Sequence, residues 1–213
     1  MPTRRPSGKS AAVSPSTGAE LATIEDSLRR VLIPLAKATE LELRGATAAA
    51  VLVPLHVNAS NELCAVFTRR REDMRRHAGE ISFPGGRRDP KDKDLLTTAI
   101  REANEEVGLE PTAVTPLGAL QPTPTIATGY AIHPYVALIE PPPDWTLSER
   151  EVAEVIDLPL AHVKQGYSRQ RLLRRGMPIR TDTYVVGRHL IWGATARVLS
   201  DLFDRLPPEL LAS

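Results

Sequence analysis

FPGGRRDPKDKDLLTTAIREANEEVGL, Phe83 to Leu109, is the stretch whose reading decides the fold of this chain. Its last nine residues place Glu102, Glu105 and Glu106 at i, i+3 and i+4, so a helix here carries three carboxylates on one side. Like charges gathered this way repel, whereas a divalent cation makes the cluster favourable by sharing its oxygens. Hard cations such as Mg2+ or Mn2+ take oxygen ligands, and Mg2+ bridges protein carboxylates to substrate phosphates, so a phosphate ester or anhydride is the implied partner. An acidic surface helix would produce the same pattern by chance. The flanks favour the cation reading. Pro84, Gly85 and Gly86 make a turn that brings backbone close to a ligand, an Asp-rich loop follows, and Gly108 is a natural helix stop.

These residues resemble a known family. REANEEVGL, Arg101 to Leu109, resembles the end of the Nudix box, in which Gly, five residues, Glu and seven residues precede R-E-U-x-E-E-x-G-U. Upstream, VFTRRREDMRRHAGEISFPGG from Val66 to Gly86 is similar to the additional signature of the coenzyme A pyrophosphatase branch, with Thr68, Arg70, Arg75, Gly79 and Phe83 to Gly86 in register. Arg71 stands where that signature has Ser or Ala, and Val66 and Phe67 replace two leucines. Fourteen residues separate Gly86 from Arg101, one more than the general box allows, which leaves the first acidic position open among Asp89, Asp92 and Asp94.

The remaining composition narrows the classes. A chain of 213 residues with 42% hydrophobic residues buries one good-sized core. Lys and Arg number 27 against 26 Asp and Glu, which argues against a protein held to nucleic acid or to a membrane by bulk charge. A single cysteine, Cys64, excludes an internal disulfide and reads as a core residue. No run approaches the ~18 apolar residues of a membrane span and the start lacks an apolar signal core, so a reducing, cytoplasmic location is expected.

Residues 1–19, rich in Pro, Ser, Gly and Ala, read as a disordered tail, and residues 20–213 as a single domain with N-terminal and C-terminal helices. Apolar residues from Ile24 to Leu35 recur at helical spacing over 21–37, with Thr23 as cap and Pro34 as a kink or stop. Segments 48–56 and 62–69 read as strands joined through Asn58 to Asn61, the first apolar on both faces and therefore central. Further strands are expected over 115–121, 131–139 and 181–186, and a helix over 191–203 with Trp192 as a packing residue. Arg69 to Arg76 holds five arginines; 168–175 is a second basic run, read as an anion contact or a solvated loop. Glu151 and Glu154 are acids outside the box that could serve as base or ligand, or simply face solvent.

The resemblance implies an α/β fold, the Nudix α/β/α sandwich with a mixed central sheet. It also implies hydrolysis, dependent on Mg2+ or Mn2+, of the pyrophosphate bond of coenzyme A or its thioesters to 3',5'-ADP and (acyl-)phosphopantetheine. Glu102, Glu106 and Glu105 are the implied metal ligands. Glu102, Glu105 and Arg101 are the catalytic set, with Glu105 a third ligand or the group that orients water, and Arg101 holding a glutamate. Arg70, Arg75, Gly85, Gly86, His77 and Glu80 are the implied substrate contacts, and a homodimer is left open. Competing readings are a Nudix pyrophosphatase acting on NADH, ADP-ribose or nucleoside triphosphates, a non-catalytic nucleotide-binding module, or a structural protein with an incidental acidic helix.

Overall fold

The structure, a computed structural model, describes residues 18–41, 47–73, 78–125, 129–142, 144–174 and 177–211. Arg75, His77 and residues 1–17 of the expected tail lie outside them; Gly18 and Ala19 open the first helix. A mixed sheet is built on β1 (Thr47–Val57), which pairs antiparallel with β2 (Leu63–Arg70) and parallel with β7 (Tyr130–Ile139). β7 pairs on with β5 (Val114–Ala119) and β6 (Thr123–Pro124), and β2 with β8 (Val152–Pro159). Two short strands extend the ladder, β3 (Ile81–Ser82) along β2 and β4 (Gly85–Arg87) along the start of β1. The Pro84–Gly85 turn is thereby fixed against the centre of the sheet, with the Leu52 amide bonded to the Pro84 carbonyl at 2.9 Å.

Side chains of β1, β2 and β7 alternate between two cores, as the two-residue period of a strand dictates. Val53, Leu55, Ala65, Phe67 and Val136 face a core shared with α1 (Gly18–Val31), α4 (Leu160–Gln165) and α5 (Gly193–Arg205). Ala50, Leu52, Val66, Tyr135 and Ala137 face α3 (Leu95–Val107) through Ala99, Ala103 and Val107. Covering both faces explains why the stretch around Val51 to Leu55 is apolar without alternation. A separate antiparallel sheet, β9 (Tyr167–Arg174), β10 (Met177–Val186) and β11 (His189–Trp192), packs on α5 through Tyr184, whose ring lies 5.5 Å from that of Phe203. Among the described residues no helix is long and apolar enough to cross a membrane.

Some expectations change. The first helix ends at Val31, and α2 (Leu35–Ala38) restarts after Pro34, whose ring cannot continue a helix. Thr23 is inside α1, its hydroxyl bonded back to the Ala19 carbonyl rather than capping an end. The basic run from Ser168 is strand β9, not a loop, because pairing with β10 supplies its backbone bonds. Helix α3 ends where expected, with Gly108 closing it at φ 70°, and it begins at a cap not foreseen in the sequence, the Asp94 carboxylate accepting from the Thr97 amide at 2.8 Å. Asp94→Ala is therefore expected to lower the unfolding free energy by about 1 kcal/mol, measured by urea denaturation near neutral pH.

Candidate active site

Helical geometry grades the three glutamates. At about 100° per residue, Glu106 falls within about 20° of the buried Ala99 direction, Glu102 about 60° to one side and Glu105 about 120° away. Accordingly Glu106 is only 4% exposed, Glu102 is half-buried, and the Glu105 side chain is 58% exposed. Glu106 Oε2 accepts from the Gly85 amide at 3.2 Å, and its Oε1 lies 3.6 Å from Arg70. Burial outweighs those two contacts and pushes the Glu106 carboxyl up to about 8, with Glu102 and Glu151 adding repulsion. Glu102 is raised as well, again first by burial.

The glycine turn meets this helix closely. A Cβ on Gly86 would sit 2.5 Å from the Glu102 carboxyl carbon, and one on Gly85 would collide with the Ala50 carbonyl. Only glycine lets β4 pass between β1 and the glutamates. Segment 144–151 closes the other side: the Ser148 amide bonds the Glu106 carbonyl at 2.9 Å, and the Arg71 amide bonds the Glu151 carbonyl at 3.1 Å. Glu151 is thereby carried to Arg70, 3.3 Å away. Glu154, the other outside acid, instead pairs with Arg69 and Arg188, each at 2.6 Å. Of the two, only Glu151 adds to the charge around Glu102 and Glu106.

Arg101 ties the loop to the helix. Its Nε and Nη2 grip both oxygens of Asp92 at 3.0 Å, Nη2 also reaches Glu102 at 3.0 Å, and Nη1 takes Glu105 at 3.0 Å. Asp92 is 6% exposed, also accepts from the Thr98 hydroxyl and the Asp89 amide, and is held well below the usual carboxylate range, first by the Arg101 guanidinium. The three loop acids differ in their contacts: Asp92 pairs with the helix arginine, Asp94 is the cap, and Asp89 accepts from the Lys91 amide. The one-residue-longer loop hid this from spacing alone.

A cavity of about 850 Å³ opens beside the turn. Gly85, Gly86, Arg70 and Glu80 line it on the side of the main sheet, with Val51, Tyr130 and Ile132. Across it stand Ile179 and Arg180 of β10, Arg169 of β9, Trp192 of β11 and the first residues of α5. Trp192, expected to be packing, is half-buried in that wall. Tyr130 and Ile132 escaped sequence reading, although their i, i+2 spacing on a strand places both on one face. Cys64 is packed beside His56 and Asp157, and burial pushes its thiol up to about 12, so it stays protonated.

The residues fit a divalent cation. Glu106 and Glu151 share the Arg70 guanidinium and Glu102 takes one donor of Arg101, while Glu102 and Glu151 repel the buried Glu106 carboxyl, which burial pushes up to about 8, so acid exceeds positive charge around it. An α/β/α sandwich whose helix presents such carboxylates to a glycine turn defines the class. The family follows from comparison: a NUDIX domain model matches residues 46–174, and this chain belongs to the Nudix family. It is 38% identical over 160 residues to the protein named "Uncharacterized Nudix hydrolase NudL" of Photorhabdus laumondii, covering 74% of this chain and 84% of that one. The protein of the same name from Salmonella paratyphi B is also 38% identical, over 156 residues, covering 72% and 80%. The MutT/nudix family protein from Enterococcus faecalis shares the fold, with a TM-score of 0.51 at 16% identity over 89% of this chain and 69% of that one. Nudix hydrolases generally use Mg2+ or Mn2+ and bind small nucleotide substrates.

The pH dependence follows in sign. Without metal, Glu106 holds its proton more tightly folded than unfolded, so its contribution to stability is full below its ordinary 4.5 and is lost as pH rises through about 8. A cation binds only the carboxylate and reverses the trend. Thermal melts of chelator-treated protein should fall over that window and flatten in Glu106→Gln, while stabilisation by added Mg2+ should grow with pH.

Proposed function

We propose that the chain is a divalent-cation-dependent pyrophosphohydrolase that cleaves coenzyme A or its thioesters to 3',5'-ADP and (acyl-)phosphopantetheine. The observation that carries the reaction is the pairing of Glu106 and Glu151 with Arg70, with Glu102 held beside Gly86 by Arg101, at the edge of a cavity large enough for a nucleotide conjugate. The choice of coenzyme A is supported by the in-register resemblance of residues 66–86.

In this reading Glu102 and Glu106 hold the cation, stacked one helical turn apart. When bound, Mg2+ or Mn2+ supplies neutralisation of diphosphate oxygens and a lowered pKa for a bound water. Arg101 keeps Glu102 oriented through its grip on Asp92, and Glu105 steadies that guanidinium from the solvent side. Gly86 leaves room for the diphosphate, and Arg70 pairs with it. Glu80 lines the cavity and contacts the substrate side. Glu151, near the cluster yet half-exposed, accepts the proton of the attacking water. The oxygen–phosphorus bond to water forms as the bridging oxygen–phosphorus bond breaks, and the bridge oxygen leaves as the second phosphomonoester.

A panel of coenzyme A, acetyl-coenzyme A, NADH, ADP-ribose and nucleoside triphosphates, with product identification, tests the assignment. Coenzyme A or a thioester should have the highest kcat/KM, with no turnover in chelator. Glu106→Gln should lower kcat about a hundredfold or more, and Glu151→Gln should lower kcat with little change in metal affinity. A folded Glu106→Gln variant of full activity defeats the metal assignment.

A further inference from the structure

Five arginines line the cavity, Arg70, Arg87, Arg169, Arg180 and Arg197, against two acids, Glu80 and Asp182. Their engagements differ. Arg70 is spent on Glu106 and Glu151, Arg87 lies over the Tyr130 ring with its guanidinium carbon 5.9 Å from the centroid, and Arg197 donates to the Pro124 carbonyl. Asp182 accepts from the Tyr167 hydroxyl at 3.1 Å and reaches Arg169 only at 3.8 Å. The Arg180 guanidinium makes no hydrogen bond or ion pair with any of the described residues.

Strand register concentrates this charge. Arg169 faces Asp182 across β9 and β10, and Arg171 faces Arg180, so three guanidiniums and one carboxylate share one face of the hairpin. Like charges directly opposite on paired strands are destabilising, and an anion between them turns the repulsion into attraction. Arg169 and Arg180 are diagonal neighbours, with roughly 7–8 Å between such positions, within reach of two forked guanidiniums closing on one phosphate. Ile132, Ile179 and Trp192 supply apolar wall in the same cavity.

We propose that Arg169 and Arg180 form a second anion subsite, which takes a phosphomonoester of the substrate other than the diphosphate that is hydrolysed. The inference rests on the reading of this cavity as the substrate site and deepens it. The substrate class is a nucleotide conjugate with a ribose phosphate besides its bridging diphosphate. Coenzyme A has that group; NADH and ADP-ribose do not. The cationic device lies largely outside the box: Arg180 and Trp192 fall beyond the residues matched by the family model.

The test is steady-state kinetics of wild type, Arg180→Ala, Arg169→Ala and Arg180→Lys with coenzyme A and with 3'-dephospho-coenzyme A. Wild type should favour coenzyme A in kcat/KM by about tenfold or more. In Arg180→Ala and Arg169→Ala that ratio should collapse toward one, mainly through KM, with partial recovery in Arg180→Lys. A wild-type ratio near one, or equal losses on both substrates, overturns the subsite. If coenzyme A is not cleaved at all, the proposed substrate fails. The subsite is then decided by inhibition of whichever substrate is cleaved: Arg180→Ala should weaken 3',5'-ADP about tenfold more than 5'-AMP, and equal weakening overturns it.

Discussion

Glu106 is a carboxylate on the sheet side of a helix, and the arrangement of the site follows from the need to keep it there. Putting an ion of this kind out of water costs several kcal/mol unless charge or hydrogen bonds replace the lost solvent. The protein supplies one amide, from Gly85, and one distant guanidinium, from Arg70. That is too little, so the folded chain retains a proton in the absence of metal. In the proposed reading a cation supplies the missing charge. The same constraint explains the glycine pair: any side chain on Gly86 would occupy the space of Glu102, and one on Gly85 would push β4 off β1 and remove the amide that Glu106 needs.

Around this carboxylate the remaining ionic groups divide into those that orient and those that stay available. Arg101 spends its donors on Asp92, Glu102, Glu105 and the Arg87 carbonyl, with the two-pronged pair to Asp92 as anchor. Because Asp92 is buried, losing one partner of that pair would strand the other, a situation worth about 3–5 kcal/mol. Arg101 is therefore a fixed part of the scaffold. Glu151, just before β8, is the more exposed partner of Arg70 and stands at the open side of the cluster.

Much of this was legible because it rests on local rules. Gly108 marks the helix end by capping chemistry, the apolar run around Leu52 marks a doubly covered strand, and Glu102 and Glu106 follow from helical periodicity. What stayed hidden depends on tertiary distance. Nothing in the spacing of Asp89, Asp92 and Asp94 shows which will meet Arg101, since a loop with one extra residue can place any of them there. Glu151 and Glu154 lie three apart in one acidic run, and only the register of β8 against β2, with its shift between Arg69 and Arg70, sends one to the cluster and the other to surface arginines. The run from Ser168 reads as solvated charge until pairing with β10 sets its arginines on a common face. Helical grading also tempers the reading of three equivalent carboxylates, because Glu105 sits two-thirds of the way round from the buried side.

The cavity separates two tasks onto two elements. The main sheet and α3 hold the groups proposed to act on a diphosphate, where strand pairing, caps and buried ion pairs leave little freedom. The facing wall is a hairpin with α5 beneath it; β11 meets the main sheet at β3 and α5 meets it at β6, and Arg169 of the hairpin is only loosely matched by acid. Substitutions on an exposed hairpin face cost little stability, since few buried groups depend on them. Changes there can therefore alter which conjugate is accepted while the carboxylate cluster and its glycine turn stay intact. On the proposed reading, the carboxylates determine the bond that is broken, and the charge on the hairpin determines the molecule in which it is broken.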